Sequence, residues 1–346
     1  MFHQLRVTGC ERITDDAVAV TFHVPADLVD AYRFTAGQHL AIRSDHGGPG
    51  SRRSYSIASP VGGPLRIGIK QLPGGAFSGW AVQQLRPGDT LEVMTPAGRF
   101  GTTQRTGGRR VVALAAGSGI TPIFSVVSTA LAAEPDTEVV LLYGSRTTED
   151  TMFGEDLADL KDAHPQRFAM LHFLSREAQT SPLRSGRLDA EKINRLWGSV
   201  LSPDTDDWYL CGPQAAVEEW RDTLLAAGVP GERIHRELFH AGPALPAPRV
   251  DAPSGAGTLV FTLDGRTSEV DLGPADTLLD AVLRVRPDAP FACRGGVCGT
   301  CRATVLDGKV AMDANFALEG DELERGFVLT CQSRPNTGSV RVDFDR

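Results

Sequence analysis

Four of the six cysteines in this 346-residue sequence are spaced like the ligands of an iron–sulfur cluster. Cys293, Cys298 and Cys301 lie in one short stretch, FACRGGVCGTCRATV, and Cys331 follows in FVLTCQS. Three thiolates from one loop and a fourth from further along the chain are the plant-type arrangement for a [2Fe–2S] cluster. The glycines between the cysteines let backbone amides approach the sulfide ions closely. The sequence therefore predicts that these four cysteines hold a [2Fe–2S] cluster.

Three other uses of grouped cysteines fit this spacing less well. A structural zinc site usually combines two Cys-x2-Cys pairs, whereas Cys331 has no second cysteine near it in the sequence. A thioredoxin-like redox motif would need only Cys298 and Cys301. Disulfides are rare in reducing compartments, and the first residues, MFHQLRVTGC, do not resemble a secretory signal. A zinc-stabilised binding module stays open as an alternative.

The composition restricts the functional classes further. Hydrophobic residues (41%) and charged residues (23%) occur at the frequencies of soluble globular proteins. The sequence contains no run of ~18 apolar residues that could span a membrane. We therefore expect a cytoplasmic protein. A net charge of −8 argues against a nucleic-acid-binding surface.

Hydrophobic patterning divides the chain into three predicted domains and a linker. Residues 1–106 contain short β-segments separated by Gly and Pro, which predicts a small antiparallel β-barrel. Residues 107–240 alternate apolar strands with amphipathic helices, which predicts an α/β domain with a parallel sheet. Residues 241–256 are rich in Pro and Ala without an apolar period, which predicts a linker. Residues 257–346 begin with a hairpin and a helix, which predicts a small α+β domain around the cysteines.

Two segments of the predicted barrel have residue types that suit a ligand with a pyrophosphate and a flat aromatic ring. In RRSYSIAS, Arg53 and Tyr55 share one face of a strand, where a guanidinium suits a pyrophosphate and a phenol ring covers a flat aromatic system. In PGGAFSGW, Gly75 lets the backbone approach an anion, and a helix is expected to begin near Ser78. By itself RRSYSIAS is also compatible with an ordinary half-buried strand.

Two segments of the predicted α/β domain follow apolar strands at the edge where nucleotides bind. In ALAAGSGITPIF, Gly117 and Gly119 form a turn before a helix that we expect to begin near Thr121, with Pro122 in its first turn. In YLCGPQAAV, Cys211 ends a later strand. The carboxyl end of a parallel strand favours a nucleotide site. A tight strand–helix turn and a buried structural cysteine are the alternatives.

Together these motifs resemble the ferredoxin–NADP reductase superfamily, through RSYS (53–56), GGAFS (74–78), GSGITP (117–122), CGP (211–213) and ELF (237–239). The resemblance implies a multidomain fold: an FAD-binding antiparallel β-barrel, a parallel-sheet nucleotide domain, and a β-grasp ferredoxin domain. Within the superfamily the chain is similar to reductase components of oxygenases. It is most similar to the family of phenylacetyl-CoA epoxidase reductase subunits, with which ketosteroid hydroxylase reductases share the domain order.

The resemblance also implies roles for individual residues. The FAD-binding residues would be Arg53, Ser54, Tyr55, Ser56, Gly75, Ala76, Phe77 and Ser78. The pyridine-nucleotide loops would comprise Gly117, Gly119, Thr121, Pro122, Gly212 and Pro213. Ser56 would lie at flavin N5, Cys211 and Glu237 beside the nicotinamide, and all three would frame the hydride transfer. Phe239 stands where the family has an aromatic residue that shields the flavin.

The segment LSRE suggests which nucleotide is used. Ser175 and Arg176 resemble the pair that holds a 2′-phosphate, and Arg184 is positioned to assist. An acidic residue at the end of that strand would bind ribose hydroxyls instead. The sequence therefore favours NADPH over NADH without excluding NADH, since Arg176 also suits a solvated surface position.

The combined prediction is an electron-transfer enzyme. Electrons would pass from NADPH to FAD, then to the [2Fe–2S] cluster, and then to the subunits of a separate di-iron oxygenase, most consistently the phenylacetyl-CoA epoxidase. The reductase of a ketosteroid or ring hydroxylase that uses NADH is the alternative within the same class. A non-catalytic iron–sulfur redox sensor is the alternative from another class.

Overall fold

The computed structural model describes residues 1–48, 50–101, 107–239, 257–318 and 320–346. They form two units. The larger unit, His3–Ser51 with Tyr55–Phe239, contains most of the first two sheets. The smaller unit contains the third sheet and the short pieces Met1–Phe2 and Arg52–Ser54. The predicted linker, 241–256, lies outside the described residues, and the exact domain boundaries remain predictions.

The first sheet is antiparallel and has the strand order β4-β3-β6-β1-β2-β5. Its elements are β1 (Phe2–Thr14), β2 (Ala17–His23), β3 (His39–Ser44), β4 (Ser51–Ser56), β5 (Leu65–Lys70), helix α1 (Ala76–Gln84) and β6 (Thr90–Met94). Inward-facing aliphatic side chains such as Val20, Leu40 and Ile67 are fully buried in one cluster, to which α1 adds Phe77. The predicted antiparallel barrel is confirmed.

The longest strand of this sheet, β1, is not indicated by the sequence pattern. Its pairing with β2 shifts register between Val7 and Gly9 and again between Arg12 and Thr14. Each irregularity turns the following side chains to the opposite face, so the alternation of apolar and polar residues is interrupted.

The second sheet is parallel and has the strand order β11-β10-β7-β8-β9. Its elements are β7 (Arg110–Ala116), α2 (Ile120–Ala133), β8 (Glu138–Ser145), α3 (Gly154–Ala163), β9 (Phe168–Leu174), α4 (Ala190–Leu196), β10 (Asp207–Pro213), α5 (Gln214–Ala226) and β11 (Ile234–Phe239). The central strands are buried along almost their whole length, as parallel strands covered on both faces must be. The predicted α/β domain is confirmed.

A buried charge network joins the amino ends of β7 and β10 to the end of α2. The guanidinium of Arg109 lies 2.9 Å from a Glu134 carboxylate oxygen and 2.7 Å from an Asp207 carboxylate oxygen. All three residues are buried. The Thr137 hydroxyl donates to Glu134 at 2.7 Å, and His235 Nε2 lies 3.0 Å from Asp207. One arginine therefore connects a helix and two strands at the sheet edge opposite the predicted nucleotide site.

The third sheet is mixed, with the strand order β13-β12-β18-β14-β16, and a two-stranded ribbon β15-β17 lies beside it. Its elements are β12 (Gly257–Leu263), β13 (Arg266–Leu272), α6 (Leu278–Val285), β14 (Arg302–Asp307), β15 (Val310–Met312), α7 (Gly320–Glu324), β16 (Phe327–Leu329), β17 (Ser333–Pro335) and β18 (Ser339–Asp343). The predicted Asp264-Gly265 hairpin turn has φ values of 53° and 70°, as a two-residue turn of this kind requires. Helix α6 starts with a capping box between Thr277 and Asp280. No helix in the described ranges is long and apolar enough to cross a membrane.

Replacing Arg109 with Met should strongly destabilise the larger unit. The variant leaves the buried carboxylates of Glu134 and Asp207 without their shared cation, which costs about 3–5 kcal/mol of unfolding free energy. The measurement is urea unfolding followed by tryptophan fluorescence. The control is Arg33→Met, because Arg33 and Asp30 form an exposed pair and such pairs contribute about 1 kcal/mol or less. Equal losses in the two variants would contradict a structural role for the network.

Candidate functional site

Two loops meet at the carboxyl edge of the parallel sheet, between β7 and β10. Here the strand order reverses direction, which opens the crevice that nucleotide-binding sheets use. The turn Gly117–Gly119 follows β7. A Cβ atom on Gly119 would lie 2.2 Å from the Cys211 carbonyl oxygen and 2.7 Å from the Gly212 nitrogen. Glycine is therefore required for the turn to lie against the end of β10.

The first turn of α2 extends the same edge. Helix α2 begins at Ile120, one residue earlier than expected, so Thr121 and Pro122 both lie inside it. The Thr121 hydroxyl donates to the Ser118 carbonyl at 3.0 Å, which ties the helix to the glycine turn. Proline is tolerated in a first helical turn because its missing N–H has no partner within the helix. No side chain in the described part of the chain caps α2, and the Ile120 N–H donates to carbonyls of the glycine turn.

Cys211 and Glu237 are neighbours across β10 and β11. They stand opposite each other in the parallel register, and Pro213 stands opposite Phe239. Cys211 is fully buried. Burial, together with the Glu237 carboxylate, raises the pKa of the Cys211 thiol well above its usual value. The thiol is therefore protonated at neutral pH and presents a neutral, polarizable group at this edge rather than a nucleophile.

Strand β4 carries the residues predicted to bind the flavin. Arg53 is exposed, Tyr55 is half-buried with its ring 5.8 Å from that of Phe77, and Ser56 is buried. The Ser54 hydroxyl is buried, and none of the described residues gives it a hydrogen-bond partner. A buried hydroxyl without a partner is costly, so the strand fits a ligand that supplies one.

The loop before α1 fits a pyrophosphate through its backbone. Helix α1 begins at Ala76 rather than near Ser78. The Ser78 hydroxyl accepts from the Leu72 N–H at 3.1 Å and donates to the Gly75 carbonyl at 3.3 Å. A Cβ on Gly75 would lie 2.5 Å from that hydroxyl. Ser78 therefore shapes the loop, while the amides of Ala76 and Phe77 at the start of the helix are placed for an anion.

The barrel and the parallel sheet pack together within the larger unit. The Ser125 hydroxyl of α2 donates to the Ser59 carbonyl at 2.7 Å, just beyond the end of β4. The Thr129 hydroxyl accepts from the Val61 N–H at 3.0 Å. The helix that starts at the nucleotide loop is thus bonded along its side to the chain that continues from the flavin strand.

The residues predicted to select the nucleotide follow β9. Ser175 and Arg176 are exposed, and their backbone N–H groups donate to the carbonyls of Ser145 and Arg146 at 3.0 and 2.7 Å. Arg184 ends a short 3₁₀ helix, Pro182–Arg184, that packs beside β9 and is also exposed. These bonds hold the loop in place and leave the guanidinium of Arg176 facing solvent at the carboxyl edge.

Glu177 is relevant to the choice between NADPH and NADH. It was not identified from the sequence. Its carboxylate accepts from the Thr148 N–H at 2.7 Å and from the Thr148 hydroxyl at 2.9 Å. These bonds lower the pKa of Glu177. The nearest acidic residue to Arg176 in sequence is therefore engaged with Thr148. In the sequence, only its position directly after Arg176 could have drawn attention to Glu177. Its bond to Thr148 could not be foreseen, because Thr148 belongs to another loop.

The four predicted cluster ligands lie together as two pairs in the smaller unit. The Cys293 thiol interacts with that of Cys298, and the Cys301 thiol with that of Cys331. The Cys298 thiol lowers the pKa of Cys293 to about 6, which favours the thiolate that metals bind. No three His, Cys, Asp or Glu side chains among the described residues are arranged to hold a single metal ion. Two pairs of thiols suit a cluster with two irons better than one tetrahedral zinc ion.

Backbone and side-chain donors surround these thiols. Gly295 N–H donates to Cys293 Sγ at 3.3 Å, and Gln332 Nε2 lies 3.7 Å from Cys331 Sγ. Gly296 and Gly299 have φ values of 76° and 65°, which other residues rarely adopt. The sequence predicts the glycines. Gln332 was missed, because a glutamine next to a cysteine is not a recognisable signal.

Three family models match successive parts of the chain. An oxidoreductase FAD-binding domain matches residues 4–101. An oxidoreductase NAD-binding domain matches residues 113–222. A 2Fe-2S iron-sulfur cluster binding domain matches residues 261–336. The cofactors of this chain are therefore FAD, a pyridine nucleotide and a [2Fe–2S] cluster, and the residues described above fit all three.

Similar proteins match the chain over almost its whole length. The chain is 43% identical to a component of the 1,2-phenylacetyl-CoA epoxidase of Escherichia coli (strain K12), over 99% of this chain and 98% of that protein. It is 35% identical to the ferredoxin reductase component of 3-ketosteroid-9-alpha-monooxygenase of Mycobacterium tuberculosis (strain ATCC 25618 / H37Rv), over 99% and 96%. The solved structure of phthalate dioxygenase reductase has the same fold, with a TM-score of 0.60, 24% identity, and coverage of 99% of this chain and 98% of that one.

One assignment follows from these similarities, together with the order of the sheets, the residues at the crevice and the paired thiols. The chain is an NAD(P)H-dependent oxidoreductase. It belongs to the ferredoxin–NADP reductase superfamily, in the family of oxygenase reductase components that carry a C-terminal plant-type [2Fe–2S] ferredoxin domain.

Proposed function

We propose that this protein transfers electrons from NADPH, through FAD and its [2Fe–2S] cluster, to a di-iron oxygenase that epoxidises the aromatic ring of phenylacetyl-CoA. The observation that carries the proposal is the bonding of α2, which starts at the nucleotide loop, to the chain that continues from the flavin strand. The nucleotide loop and the chain just beyond the flavin strand therefore belong to one unit, which supports a hydride donor and a flavin as neighbours. The four paired thiols in the same chain would hold the cluster from which electrons leave the protein.

The protein's own groups bind and orient the two nucleotides. FAD, when bound, accepts a hydride and passes the electrons on singly, which a nicotinamide cannot do. The Ala76 and Phe77 amides and Arg53 would hold its pyrophosphate, and Tyr55 would cover the ring system. Cys211 Sγ keeps its proton at neutral pH, and so contributes no charge to the place where the nicotinamide binds.

The cluster loop stabilises negative charge. Thiolates bound to iron accept hydrogen bonds from backbone N–H groups, and more such bonds favour the reduced state electrostatically. Gly295 makes one of these bonds with Cys293. With a cluster bound, this N–H would stabilise the added negative charge of the reduced state.

The identity of the oxygenase rests on full-length similarity to the epoxidase component of Escherichia coli. The reductase of a ketosteroid monooxygenase is the second candidate, since such a relative matches over the same length at lower identity. Purified chain should support NADPH-dependent product formation by a phenylacetyl-CoA epoxidase oxygenase at a rate at least about tenfold above that with a ketosteroid monooxygenase oxygenase, which corresponds to roughly 1.4 kcal/mol of discrimination. The measurement is product formation with each oxygenase at equal concentrations. The opposite ranking would overturn the partner, and failure to oxidise NADPH with ferricyanide would overturn the reductase function itself.

Replacing Arg176 with Ala should weaken the binding of NADPH and not that of NADH. Loss of charge-assisted hydrogen bonds to the 2′-phosphate costs roughly 1.5–3 kcal/mol, or about 10- to 150-fold in KM for NADPH. The KM for NADH should stay the same, because NADH has no 2′-phosphate. Steady-state kinetics with both nucleotides measure this, and Arg195→Ala, an exposed arginine on α4, is the control. A similar loss with both nucleotides would refute 2′-phosphate binding by Arg176.

Replacing Cys331 with Ser should remove the cluster and leave the flavin step intact. Iron content should fall from about two per chain, with loss of the visible and EPR signals of a [2Fe–2S] centre. NADPH oxidation by ferricyanide should persist because the FAD site is separate in sequence. Cys10→Ser is the matched control, since Cys10 lies half-buried on β1 of the barrel. A Cys331→Ser protein with full iron content would argue against Cys331 as a ligand.

A further inference from the structure

Several small residues lie on the face of the barrel that packs against the parallel-sheet part. Ala17 and Ala19 of β2 and Ala58, just beyond β4, are all buried. They share one hydrophobic cluster with side chains of the parallel-sheet part, including Ile120 and Phe153. Small side chains on one surface let the backbone behind them come close to the opposite surface.

At Gly68 the barrel backbone lies against side chains of the parallel-sheet part. It is the fourth residue of β5 and pairs with Ala19 of β2. A Cβ atom on Gly68 would lie 2.7 Å from Thr121 Cγ2, and 3.0 and 3.1 Å from two ring atoms of Phe153. Its φ lies outside the left-handed region. The backbone conformation does not demand glycine; the neighbouring side chains do.

Both neighbours are held in place. Thr121 is 1% exposed, and its hydroxyl is bonded to the Ser118 carbonyl. Phe153 is also 1% exposed, adopts a left-handed φ of 57°, and stacks on Phe124 with ring centroids 5.7 Å apart. The guanidinium of Arg66 lies 5.0 Å from the centre of the Phe153 ring. A methyl group at Gly68 would have to displace one of two fixed side chains or separate the two surfaces.

The two sides of this contact lead directly to the two nucleotide sites. Strand β5 is joined to the end of the flavin strand, because the Ala58 N–H donates to the Arg66 carbonyl at 2.7 Å, two residues before Gly68. Thr121 follows the glycine turn of the nucleotide loop within two residues. We propose that Gly68 is a positioning residue, which sets the distance between flavin and nicotinamide by letting β5 contact Thr121 without an intervening side chain.

This inference rests on the proposed flavin and nucleotide sites. The step concerned is the transfer of one hydride, a proton with two electrons, from C4 of the reduced nicotinamide to N5 of the flavin. The C4–H bond breaks as the N5–H bond forms, leaving oxidised nucleotide and reduced flavin anion. Ordinary contacts between carbon atoms are about 3.5–4 Å, so a methyl at position 68 requires a displacement of roughly 1 Å. A misplacement of about that size lowers a rate by about 10²-fold.

The test is Gly68→Ala in the full-length protein loaded with FAD and cluster. We expect flavin reduction at saturating NADPH, followed by stopped-flow absorbance, to slow by about 10- to 100-fold. The dissociation constant of NADP⁺, measured from its difference spectrum, should change by less than about threefold, because each site remains intact. The control is Gly9→Ala in the same sheet, where a Cβ would meet Thr21 at an ordinary 3.5 Å.

A second variant separates positioning from general damage. Thr121→Ser removes Cγ2, the atom closest to the added methyl, and keeps the hydroxyl that bonds to Ser118. Gly68→Ala should slow flavin reduction in both backgrounds. The slowing factor should be at least about threefold smaller in the Thr121→Ser background than in the wild type. In a crystal structure of Gly68→Ala, the first turn of α2 should lie further from β5.

The outcomes distinguish the two proposals. An unchanged reduction rate in Gly68→Ala, or a loss that Thr121→Ser does not relieve, overturns the role of Gly68. Loss of FAD from Gly68→Ala that persists in the double variant also overturns it, because the residue would then serve stability alone. Failure of the wild-type protein to reduce its flavin with NADPH or NADH would instead overturn the proposed function.

Discussion

The close approach of the Gly117–Gly119 turn to the carbonyl of Cys211 is the constraint on which the site depends. At this point the backbones of two loops touch, with no room for a Cβ atom. The turn therefore starts α2 at one defined place on the sheet edge. Because α2 is rigid, its start determines where its flank meets the barrel and where its end meets Arg109.

Helix α2 connects three kinds of interaction along its length. Its amino end shapes the nucleotide crevice, and its side hydroxyls Ser125 and Thr129 bond to the chain beyond β4. The residue that follows its carboxyl end, Glu134, binds the buried arginine. The start of α2 thus lies at the polar crevice, at the carboxyl edge of the sheet. The end of α2 lies at the stabilising charge network, at the opposite edge.

Glycine meets two different needs in this protein. In the cluster loop, Gly296 and Gly299 adopt positive φ values so that the loop can turn around the thiols. At Gly68 and Gly119, φ lies outside the left-handed region, and close neighbours exclude a side chain. The first need is local and the second depends on distant parts of the chain, so substitutions should strain the backbone in one case and displace a neighbour in the other.

Local patterns in the sequence were sufficient to predict that the four cysteines are grouped, the glycine turn after β7, and most strands and helices of the first two sheets; β1, β11 and the elements after α6 were not individually predicted. These features depend on spacing, periodicity and turn residues within a short stretch of chain. The folded structure was needed to show that α1 begins before Ser78, that Glu177 is engaged by Thr148, that Arg109 joins Glu134 to Asp207, and that Gly68 lies against Thr121. Each of these, apart from the start of α1, is a contact between residues far apart in the sequence, and no local pattern specifies which distant group will be its neighbour.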